Sequence, residues 1–156
     1  MISYDQLKQE VTVIFDDKAA LPDWLKGIYI ESGAGDMILL NKNLRTDRER
    51  KCVLVEEMGH QYKTVGDITD QSKLVNQQQE LRARQWGYER LVPLSAIVQA
   101  YKAKVKGRYE IAEYLDVTEE FLQACIDRYR NKYGTYTVWE NYIIYFEPLG
   151  VAEMFG

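Results

Sequence analysis

Apolar and polar positions along the chain alternate between two periods, and the switches mark the elements. Leu7, Val11 and Ile14 or Phe15 recur at helical spacing behind Ser3, a plausible cap, which predicts a helix over 3–16. Ala19 to Lys26 holds Pro22 and Trp24 and reads as a loop. Gly27-Ile28-Tyr29-Ile30 and Met37-Ile38-Leu39-Leu40-Asn41 flank the turn Ser32-Gly33-Ala34-Gly35-Asp36, a hairpin signal. Thr46-Asp47-Arg48-Glu49 is a capping box, so a helix starts there and runs to about Tyr62. Gly66-Asp67 marks its exit, and Asp67 to Leu74 reads as a polar loop.

A second long helix is expected from about Asn76 to Leu91, broken by Pro93, and another from Leu94 to Lys104. Glu80, Ala83 and Gly87 share one face of the first of these, one acid with two small residues that allow a close neighbour. Glycine inside a helix costs about 1 kcal/mol against alanine, which suggests a packing reason for Gly87. The stretch 110–118 leads into a helix from Glu119 to Tyr133 in the manner of a helix-turn-helix. Gly134 ends that helix. Tyr136 to Trp139, the turn Glu140-Asn141 and Tyr142 to Phe146 predict a terminal hairpin, closed by Pro148-Leu149-Gly150. The sum is an α+β protein, mainly helical, read as one domain over 1–156.

Composition narrows the function. The chain of 156 residues is 46% apolar and 28% charged, with a net charge of −4. That balance suits a folded domain and offers no general attraction for a phosphate backbone. Between Leu94 and Tyr133 seven Lys/Arg face six Asp/Glu, and the second helix of the pair opens with Glu119 and Glu120. Both features argue against direct DNA binding. Two distant cysteines, Cys52 and Cys125, suggest neither a disulfide framework nor a thiolate metal pair, so a reducing cytoplasm is the simplest location. No run approaches the roughly 18 apolar residues of a membrane span, and the N-terminus lacks the pattern of a secretory signal.

The candidate chemistry lies in Glu56-Glu57-Met58-Gly59-His60, which contains the only histidine. Against H-E-x-x-H it matches at Glu57 and His60 and carries Glu56 in place of the first histidine. On a helix, Glu56 and His60 share a face roughly 6 Å apart and can reach one metal ion. Zinc accepts carboxylate oxygen as well as imidazole, and an oxygen-rich site also admits Mn or Fe. A carboxylate from the Glu80 face could complete three ligands. The plainer alternatives are a solvated Glu pair, a structural histidine, and a surface Glu80 beside Arg82 and Arg84. The first hairpin is either core or a sheet edge able to take an extended peptide.

The chain resembles the ImmA/IrrE family of metallo-endopeptidases in its short phage or mobile-element form. The resemblance rests on Gly27-Ile28-Tyr29, Ile38 to Leu44, Arg50 to His60, Glu80-Leu81-Arg82-Ala83, Leu91-Val92-Pro93, Ile111 to Ile126 and the ending Ile144 to Leu149. It implies a zincin-like domain, with the metal-site core in 1–93, a helix-turn-helix-like segment in 94–133 and a C-terminal hairpin in 134–156. It also implies zinc held by His60 and Glu80, with Glu56 where a histidine ligand stands in the family, and Glu57 as general base. The implied substrate is a helix-turn-helix repressor, cleaved to relieve repression. The alternative is a peptidase-like regulator that binds such a partner without cutting it.

Overall fold

The computed structural model describes residues 1–63 and 74–154, and the fold is α+β. Its contacts divide into two compact units, residues 2–87 and residues 88–156 with Met1. The expected exit at Gly66-Asp67 and the polar loop after it lie outside the described residues.

The first unit begins differently from the sequence expectation. Helix α1 covers only Tyr4–Lys8, and Ile14–Ala19 is strand β1. Ser3 does cap: its Oγ accepts from the Gln6 N–H at 3.1 Å, and Gln6 Oε1 accepts from the Ser3 N–H at 2.8 Å. The helix then stops because Val11-Thr12-Val13-Ile14-Phe15 is rich in β-branched and aromatic residues. That run finds a strand to pair with, and the backbone bonds of a ladder replace those of the helix. Ile14, expected on a buried helical stripe, is 58% exposed.

The expected hairpin forms as β2 (Gly27–Ile30) and β3 (Met37–Asn41), antiparallel with Gly27 opposite Leu40 and Ile30 opposite Met37. Strand β1 joins β3 in parallel, giving the order β1-β3-β2 and leaving β2 at an edge. Asn41 is buried at the end of β3. Its Nδ2 donates to the carbonyls of Leu21, Pro22 and Leu25 at 3.2, 3.0 and 2.9 Å, which ties the preceding loop to the sheet.

Helix α2 (Asp47–Lys63) packs against β2 and β3. Thr46 Oγ1 accepts from the Glu49 N–H at 3.1 Å, and Glu49 Oε1 accepts from the Arg45 N–H at 3.3 Å. Leu54, Val55 and Met58 fill the core with Ile38 and Leu40 from the sheet. Helix α3 (Leu74–Leu91) carries the Glu80 face.

The second unit continues from the end of α3 through α4 (Leu94–Lys102), α5 (Arg108–Leu115) and α6 (Glu119–Tyr133). Val117 is buried at the α5–α6 turn, where Asp116 adopts a left-handed conformation, and Thr118 caps α6 by accepting from the Phe121 N–H at 3.1 Å. The buried Tyr129 hydroxyl donates to the Val92 carbonyl at 2.8 Å. The C-terminal hairpin, β4 (Tyr136–Trp139) and β5 (Tyr142–Phe146), gains a third strand, β6 (Leu149–Glu153), antiparallel to β5. Pro148-Leu149-Gly150 therefore turns the chain into another strand, which pairs Leu149 with Phe146 and Val151 with Ile144. Among the described residues, no helix is long and apolar enough to cross a membrane.

Candidate active site

Two glycines let α2 and α3 approach to backbone contact. A Cβ on Gly59 would lie 2.1 Å from the Ala83 carbonyl oxygen and 2.9 Å from its carbon. A Cβ on Gly87 would lie 3.2 Å from Val55 Cγ1 and 3.3 Å from the Val55 carbonyl oxygen. The small face expected on α3 thus meets the glycine of the Glu-Glu-x-Gly-His motif. Ala83 follows Glu80 by three residues and Gly59 precedes His60 by one, so this crossing brings the acid to the imidazole. Tyr62 and Trp86 meet edge-on further along the same two helices, with ring centroids 5.0 Å apart.

His60 Nε2 stands 3.3 Å from Glu80 Oε1, and both side chains are largely buried. Arg84 Nε lies 3.2 Å from the same Glu80 oxygen. Glu56 and Glu57 precede His60 on α2 by one turn, both partly buried. The backbone N–H of Tyr29, on the edge strand β2, donates to the Glu57 carboxyl.

The electrostatics are those of acids short of counter-charge. Burial pushes the Glu57 carboxyl up to about 8, Glu56 and Glu80 add to the push, and the Tyr29 bond opposes it. Burial also raises Glu56, with Arg84 opposing, Glu80 reinforcing and Lys26 opposing more weakly. Burial lowers His60, against the pull of Glu80 and with help from Arg84, so the imidazole is kept neutral. A neutral imidazole is the form that ligates metals.

The donor chemistry fits a divalent cation. Two ligands at about 2.0–2.1 Å from a tetrahedral zinc stand roughly 3.3 Å apart, and His60 Nε2 and Glu80 Oε1 have that separation. A doubly charged ion would also relieve the repulsion among Glu56, Glu57 and Glu80. Among the described residues no three His, Cys, Asp or Glu side chains are gathered closely enough to hold an ion as they stand. The pair His60–Glu80 is assembled, and Glu56 is not yet part of it. Of the residues expected from the sequence, Glu56, Glu57, His60 and Glu80, the structure brings His60 and Glu80 together. Sequence reasoning assigned Gly59 no role and placed Arg84 only beside a surface Glu80, as the plainer alternative. The signal for Arg84 was its place four residues after Glu80, where helical side chains meet.

A pH dependence follows for the metal-free protein. Between its ordinary 4.5 and about 8, Glu57 keeps a proton in the folded chain that the unfolded chain has lost. Folded stability therefore falls as pH rises through that window. His60 acts oppositely below its ordinary 6.5, where the unfolded chain takes up a proton that the folded chain refuses. Above 6.5 the carboxyl effect stands alone. With chelator present, the urea midpoint is expected to drop between pH 6.5 and 8 by the equivalent of about 1–2 kcal/mol, and Glu57→Gln should flatten the drop. A wild-type midpoint that rises across this interval would contradict the electrostatic picture.

The family model Peptidase_M78, the IrrE N-terminal-like domain, matches residues 7–126. No curated protein and no solved structure matches the chain. The match covers both helices of the site, the edge strand beside it and most of the α5–α6 pair, so the chain belongs to the peptidase family M78, with an IrrE N-terminal-like domain.

Proposed function

We propose that this chain is a metal-dependent endopeptidase that cleaves a helix-turn-helix repressor, with His60, Glu80 and Glu56 as metal ligands and Glu57 as general base. The observation that carries the reading is the meeting of His60 Nε2 and Glu80 Oε1 at 3.3 Å across the α2–α3 crossing, in a chain of a peptidase family. Zinc is the favoured ion, and the carboxylate share of the donor set also suits Mn or Fe. The choice of a repressor as substrate rests on the resemblance to short phage and mobile-element members. The α5–α6 pair does not favour DNA itself, since the first turn of α6 presents Glu119 and Glu120.

A bound divalent cation supplies Lewis acidity toward water and the scissile carbonyl. Glu57 takes the proton from the attacking water and returns it to the leaving amine. The Tyr29 N–H fixes its carboxyl, and nearby positive charge brings it into the ionised form needed at neutral pH. The edge strand β2 offers backbone groups to an extended substrate by strand addition. Carboxylate in place of imidazole at Glu56 weakens the Lewis acidity, so turnover is expected to be slower than with two imidazoles.

A regulator that binds without cutting is the second reading, favoured by Glu56 at the histidine position and by the guanidinium already on Glu80. Elemental analysis separates the two. The protein, purified without a metal column, is offered Zn, Mn and Fe in turn, with His60→Ala as control. About one metal per chain, lost in the variant, is the expected result. No uptake of any of the three would leave the binding regulator.

A further inference from the structure

Glu80 Oε1 has two partners at once, His60 Nε2 at 3.3 Å and Arg84 Nε at 3.2 Å. The three side chains differ in their access to water. His60 and Glu80 are 15% and 19% exposed, whereas Arg84 is 51% exposed. The guanidinium therefore reaches into the site from solvent and rests on the oxygen that faces the imidazole. Its field extends to Glu56, one turn before His60 on α2.

We propose that Arg84 is a tethered cation that competes with the divalent metal for Glu80. A second positive charge on the same oxygen repels a doubly charged ion. Arginine cannot yield by losing its proton at any working pH, so it must swing away. Its half-exposed side chain allows that movement, because the freed guanidinium is hydrated again at once. The contact thus weakens metal binding without blocking it.

The same residue explains how the acid cluster holds together before a metal arrives. A carboxylate at position 56 adds a negative charge where the H-E-x-x-H pattern has a neutral ring. Arg84 supplies the opposite charge from the facing helix. One substitution is therefore expected to move two properties in opposite directions, which a purely structural side chain would not do.

The inference rests on the metal reading of the site, and the test distinguishes their failures. Zinc affinity is measured by calorimetry, and urea midpoints are taken in chelator, for the wild type, Arg84→Met and Arg84→Lys. Arg84→Met should bind zinc roughly five- to tenfold more tightly and have a lower metal-free midpoint at pH 8. Arg84→Lys, which keeps the charge, should stay near the wild type in both. Equal zinc affinity in wild type and Arg84→Met would overturn the competition and leave the metal site standing. Failure of all three chains to take up zinc, Mn or Fe would overturn the metal reading and the competition with it.

Discussion

Glu57→Gln is expected to lower peptide-bond cleavage by roughly 10²–10⁴-fold, the usual contribution of a positioned acid–base group. The substitution is nearly isosteric, and the Gln carbonyl can still accept from the Tyr29 N–H that holds Glu57. What it removes is the group that exchanges a proton with water and the leaving amine. Folding should not suffer. Glu57 is raised to about 8 chiefly by burial, so an amide that never ionises is easier to bury than the carboxylate at alkaline pH. Metal content should also stay near the wild-type value, because Glu57 is rotated by roughly 100° from Glu56 around α2. Cleavage of a co-expressed helix-turn-helix repressor, followed by mass spectrometry of the fragments, is the readout. Undiminished cleavage by a folded, metal-loaded Glu57→Gln would remove this residue as the base.

The second large effect is expected from Gly59→Ala. The new methyl would sit 2.1 Å from the Ala83 carbonyl oxygen. Because that atom belongs to the backbone, no rotamer change relieves the clash. The helices would have to part by roughly 1 Å to restore ordinary contact. Overpacking of this kind typically costs about 1–3 kcal/mol, and here the upper end is expected. The displacement would also carry Glu80 away from His60, so metal uptake should fall with stability. Gly33→Ala is the control, since a Cβ there meets nothing within 4 Å. Denaturation midpoints and metal stoichiometry on the three proteins decide the matter. Wild-type values for Gly59→Ala in both would show that the close crossing does not build the site.

These two effects mark where the sequence was readable and where it was not. The β2–β3 hairpin and the Thr46-capped start of α2 follow from local chemistry: β-formers around a glycine-rich turn, and a hydroxyl that satisfies a helix-end N–H. The helix expected over 3–16 failed because spacing alone ranked Leu7, Val11 and Ile14 together. Strand propensity in Val11 to Phe15 and the free side of β3 outweighed that spacing, and neither partner strand nor its free side is visible in a linear reading. Strand β6 was missed for the same reason, since Leu149 to Glu153 becomes a strand only beside β5.

The site divides along the same line. Helical periodicity made it legible that Glu56 and His60 share a side of α2 and that Glu80 lies on the small face of α3, because it fixes which positions share a side, whereas Glu57 was singled out by its match to H-E-x-x-H. The sequence by itself also determined the α+β class. Only the tertiary structure decided that Gly59 meets Ala83, that Glu80 reaches His60, and that Arg84 shares their oxygen. The first two of those contacts join residues about 20 positions apart in the chain, and their geometry depends on how closely two backbones can approach. Periodicity reports the face a residue occupies, whereas the missing Cβ of a glycine acts only once another helix is packed against it.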